Sequence, residues 1–95
     1  MYLYVIENAD QNCVKLGYSR DPYRRCAGLQ TGSSDELRVA YSVPVPEDRV
    51  RLLERRLHRE LNHYRKKGEW FAISPEFARA QVDHLLIRWQ DDPLL

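Results

Sequence analysis

The chain has 95 residues, 43% of them hydrophobic and 31% charged, with a formal net charge of +1. That length suits one domain spanning residues 1–95, and the apolar content argues against a disordered chain. The near-neutral balance excludes a bulk polycation, so any affinity for a polyanion has to come from where the charges sit. Cys13 and Cys26 lack metal-ligand spacing and read as small core hydrophobes. No secretory pattern opens the chain and no apolar run approaches membrane length, so a cytoplasmic protein without a membrane partner is expected.

Residues 2–6 alternate Tyr2, Tyr4, Ile6 against Leu3, Val5, and residues 13–18 alternate in the same way. Turn-forming residues at 8–12 join the two runs, which predicts a β-hairpin. If Leu3, Val5, Val14 and Leu16 face the core, then Tyr4 and Lys15 share the other face. Asp21 and Pro22 form a helix start, with Asp as N-cap and Pro in the first turn. This helix is expected to carry Tyr23, Cys26 and Leu29 inward and to stop before the loop 31–34. Residues 37–43 alternate again and predict a third strand, ended by Pro44 and Pro46. The spacing of Val50, Leu53, Leu57, Leu61 and Tyr64 predicts a long helix over 46–65 with one buried stripe. Glu54 falls at the edge of that stripe, with Arg51, His58 and Arg65 just beyond it on the same side. Gly68 is expected to end the helix, residues 69–73 to run extended, and Ser74-Pro75 to start a last helix reaching Trp89 before a short tail of residues 91–93. The order β-β-α-β-α-(β)-α is an α/β (α+β) sandwich around a three-stranded, mainly antiparallel sheet.

Basic residues gather in two places. Arg51, Arg55, Arg56, Arg59, Arg65, Lys66 and Lys67 lie close together against only two acids, Glu54 and Glu60, with His58 and His63 added, and Arg20, Arg24 and Arg25 form a second cluster. Such clusters suit a phosphate backbone, although a solvated helix face has the same composition. Arg20, Arg24, Arg55, Arg59, Lys66 and Lys67 are the candidate nucleic-acid contacts.

The stretches Tyr2-Leu3-Tyr4, Lys15-Leu16-Gly17, Arg25, Leu29-Gln30-Thr31-Gly32, Glu54, His58 and Gly68-Glu69-Trp70-Phe71 follow one another in the order of a known pattern. The chain resembles the GIY-YIG nuclease superfamily, nearest its small phage-type branch. The resemblance runs over essentially the whole sequence. It implies a metal-dependent DNA endonuclease, with the name motif's first catalytic tyrosine at Tyr4, the phosphate-binding arginine at Arg25 and the metal-binding glutamate at Glu54. The second tyrosine of the motif is Lys15 here, the first triplet reads Tyr2-Leu3-Tyr4, and Leu29 stands where some relatives carry a histidine.

The residues suit this chemistry on their own terms. Phosphodiester hydrolysis needs an activated water, charge neutralisation at the phosphate and help for the leaving oxygen. A lone carboxylate such as Glu54 holds a water-rich divalent ion, Mg²⁺ or Mn²⁺. Arg25 can fork onto phosphate oxygens, with Arg24 a competitor for that role. Tyr4 is a general base only if its pKa falls from about 10, which Lys15 across the hairpin would favour; alternatively Lys15 faces the phosphate and Tyr4 orients the water. His58 is a candidate for orienting a ligand or protonating the leaving group. Glu69 is a candidate for orienting Lys15 or Arg25. The alternative function is a catalytically weak or inactive nucleic-acid-binding module of the same fold. Under either reading specificity is expected to come from a second copy of the chain, from a partner protein, or from neither.

Overall fold

The computed structural model describes residues 1–92, so Pro93 of the expected tail lies outside the described residues. In chain order the elements are β1 (Tyr2–Asn8), β2 (Cys13–Ser19), α1 (Pro22–Thr31), β3 (Leu37–Pro44), α2 (Glu47–Glu60), β4 (Arg65–Lys67), β5 (Trp70–Phe71) and α3 (Pro75–Asp91), with a short 3₁₀ turn at Asn62–Tyr64. The α+β class is as the hydrophobic pattern predicts. The sheet has five strands rather than three, in the order β3-β1-β2-β5-β4, and every pairing is antiparallel.

Alternation places the two faces. Leu3, Val5, Val14 and Leu16 bury themselves against α2 and α3, in one core with Leu53, Leu57, Val82 and Leu85. Tyr4 and Ile6 project from the opposite face, where Cys26 of α1 and Leu37 cover them. The register pairs Tyr4 with Gly17 and Ile6 with Lys15, so Tyr4 and Lys15 do share a face. The start of α1 is capped by Asp21, which accepts a bond from the Arg24 amide, and Ser74 caps α3 in the same manner through the Phe77 amide.

Three details depart from expectation. Tyr23 does not turn inward; it is 69% exposed, because the inward stripe of α1 runs through Pro22, Cys26 and Leu29. The long helix ends at Glu60, not near residue 65, and Arg65–Lys67 pair with Trp70–Phe71 as an edge hairpin. Gly68, with a φ of +57°, makes the turn of that hairpin rather than a helix end. A glycine at positive φ serves either purpose, and the choice is made by Phe71, which is fully buried once β5 docks on the free edge of β2. The exposed Arg65, Lys66 and Lys67 then form a charged outer strand, which discourages edge-to-edge association.

Candidate active site

The site forms where the two faces of the sheet meet. β5 pairs with β2 only at Val14 with Phe71 and Lys15 with Trp70, and one further bond runs from the Leu16 amide to the Glu69 carbonyl at 3.0 Å. Past that point the edge of β2 carries no strand among the described residues. Groups on α2, which packs on one face, can therefore reach round the edge toward Tyr4 on the other. Gly17 sits at this opening, and a Cβ there would stand 2.5 Å from the Tyr4 Oη and 3.2 Å from the Glu69 Oε1. The missing side chain of Gly17 is what lets the tyrosine hydroxyl and the carboxylate approach across the strand.

The resulting cleft has a volume of about 470 Å³ and is lined by Tyr4, Tyr18, Arg25, Arg51, Glu54, Arg55 and Glu69. Of the candidate residues it brings together Tyr4, Arg25, Glu54 and Arg55. Glu54 is only 9% exposed, yet no hydrogen bond or ion pair ties its carboxyl among the described residues. Burial, followed by the negative charge of Glu69, pushes its pKa up to about 7, while Lys15 and Arg51 act in the opposite sense. A carboxyl with no hydrogen-bond or ion-pair partner, lining an open cleft beside a second carboxylate, keeps its oxygens available to a cation. Among the described residues no three His, Cys, Asp or Glu side chains converge as a metal cage. The donor chemistry therefore fits a hard, mostly hydrated divalent ion held by carboxylate oxygen, and does not fit a fully protein-ligated one.

The other candidates take different places. Lys15 is buried beside the cleft rather than lining it, with its Nζ 3.1 Å from Glu69 Oε1 and over the Trp70 ring at 5.8 Å. It does not lower the Tyr4 pKa as expected. Burial raises that pKa, and the cation that opposes the rise is Arg25, hydrogen-bonded to the phenol. His58 also stands outside the lining. Its Nε2 lies 2.7 Å from the Leu16 carbonyl, which accepts its proton, and its ring packs on Phe71 at 5.1 Å. Burial lowers the His58 pKa, so the ring is neutral near pH 7 and ties α2 to β2.

Arg20 and Arg24 line a second groove that adjoins the cleft through Arg25. Arg20 there is paired with Glu47. Arg59 is exposed on α2, and Lys66 and Lys67 are exposed on β4, so these basic residues do not share one helix face. Two lining residues, Tyr18 and Arg51, were not singled out as site residues. Arg51 was legible as a neighbour of Glu54 on the helix, whereas strand parity assigned Tyr18 to the core face and gave no sign of an open edge beside it.

The family model described as the T5orf172 domain matches residues 1–90, and the chain belongs to that family, which is associated with endonuclease-like proteins. A search of curated proteins and a search of solved structures found no match.

Proposed function

We propose that the chain is a metal-dependent DNA endonuclease of the GIY-YIG type. The observation that carries this reading is the buried, unpartnered carboxyl of Glu54 sharing one cleft with Tyr4, Arg25 and Arg55. Glu54 would hold Mg²⁺ or Mn²⁺, and such an ion supplies Lewis-acid stabilisation and an acidified water when bound. Arg25 binds the phosphate and is itself oriented by the Tyr4 phenol. The raised pKa of Tyr4 keeps it protonated near neutrality, so its part is to orient the attacking water or the phosphate rather than to remove a proton. Arg51 and Arg55 add positive charge where charge develops in the transition state. Lys15 and His58 act from behind, the first on Glu69 and the second on the β2 backbone.

A second reading is a catalytically weak binding module of the same fold, and one observation favours it. The charge of Lys15 is spent on Glu69, and no cation other than Arg25 lowers the Tyr4 pKa. Nicking of supercoiled plasmid in Mg²⁺ and in Mn²⁺ tests the two. Cleavage that chelation stops and Glu54→Gln abolishes supports the enzyme. Salt-dependent binding with no cleavage of duplex, single-stranded or branched DNA supports the module.

A further inference from the structure

Glu69 pairs with Lys15 and also lines the cleft. Its backbone is fixed by the bond from the Leu16 amide, and its side chain is still 40% exposed on the cleft side. Its Oε1 lies so near the Tyr4 hydroxyl that one Cβ on Gly17 would touch both. It lines the same cleft as Glu54. Two carboxylates, Glu54 on α2 and Glu69 in the turn between β4 and β5, thus line one cleft, and Glu54 has no hydrogen-bond or ion-pair partner among the described residues.

We propose that Glu69 is the second carboxylate of the cation site, completing with Glu54 a two-oxygen seat for one divalent ion and held in place by Lys15. The proposal rests on the reading that Glu54 holds a divalent ion. Its physical basis is charge. With Glu69 neutralised by Lys15 and taking no part, Glu54 alone offers the ion a single negative charge. With Glu69 in the shell the seat offers two, and Lys15 becomes the group that orients the second oxygen.

The test is a titration of the free protein with Mn²⁺, followed by the paramagnetic resonance signal of unbound ion, without DNA. Wild type should bind one ion and Glu54→Gln should bind none. Glu69→Gln should weaken binding by about 10-fold to 100-fold, as removal of a group supporting a metal does. Glu69→Asp, which keeps the charge but shortens the reach, should also weaken it. Since Glu69→Gln strands a buried lysine, Lys15→Met is compared with the Lys15→Met/Glu69→Gln pair, and the added loss should persist in that background. Unchanged affinity in Glu69→Gln, with Glu54→Gln still silent, overturns the role of Glu69 and leaves the Glu54 site standing. No Mn²⁺ binding by wild type overturns both.

Discussion

The carboxyl of Glu54 ties function to stability through its proton. Its folded pKa of about 7 lies above the ordinary 4.5, so between those values the native state keeps a proton that the unfolded chain releases. Native stability therefore falls as pH rises through that window, by on the order of 3 kcal/mol in total, and stays low above it. Glu54→Gln removes the penalty. The variant should unfold at higher urea than wild type at pH 8 and at the same urea at pH 4, and added Mg²⁺ should stabilise wild type alone at pH 8. A wild-type urea midpoint flat from pH 4.5 to 7 would show that the carboxyl is not held in this way. At the phosphate, Arg25→Ala should cost about 100-fold or more in nicking rate. Tyr4→Phe should cost less if, as proposed, the phenol orients the water and does not act as base; burial raises its pKa. A Tyr4→Phe loss as deep as that of Arg25→Ala would restore the tyrosine as base.

At the level of elements, the basic residues divide between α2 and the β4 edge. Arg55 lines the cleft and Arg59 follows it one helical turn on, about 6 Å further along the axis, which suits contact with successive phosphates. Lys66 and Lys67 sit across the sheet on its outermost strand. Replacing Arg55 and Arg59 together with Ala should reduce the slope of log affinity against log salt by about two, whereas Lys66 and Lys67 should contribute less. Equal slopes for wild type and both double variants would mark all four as solvated charges. The element boundaries also show where local pattern misleads. The run Arg65–Lys67 continues a helical composition, but it pairs with Trp70–Phe71 because burying Phe71 outweighs the small propensity gain of one more helical turn.

Over the whole molecule, Phe71 links the core to the site. Its ring is fully buried beneath His58, and its strand carries Glu69 to the cleft. Phe71→Ala should destabilise the fold by about 3–5 kcal/mol in urea unfolding. It should also loosen the β2–β5 pairing, seen as faster amide exchange at Leu16, whose N–H is held by the Glu69 carbonyl. A Phe71→Ala protein with native exchange at Leu16 would separate the site from the core. Among the described residues no helix is long and apolar enough to cross a membrane.

Much was legible without coordinates, because it depends on local periodicity. The strand alternation put Tyr4 and Lys15 on one face, the caps at Asp21 and Ser74 began two helices, and helical phase set Glu54 at the rim of a buried stripe. Those signals repeat every two residues in a strand or every three to four in a helix, so a short window contains them. What only the tertiary structure decided is how groups from opposite faces of the sheet come to share a cleft. That depends on β5 stopping short along β2 and on the bare Cα of Gly17, and also on which cation reaches which partner: Lys15 goes to Glu69 and Arg25 to Tyr4. These are contacts between residues far apart in the chain, and their outcome turns on burial and edge geometry that no local pattern encodes.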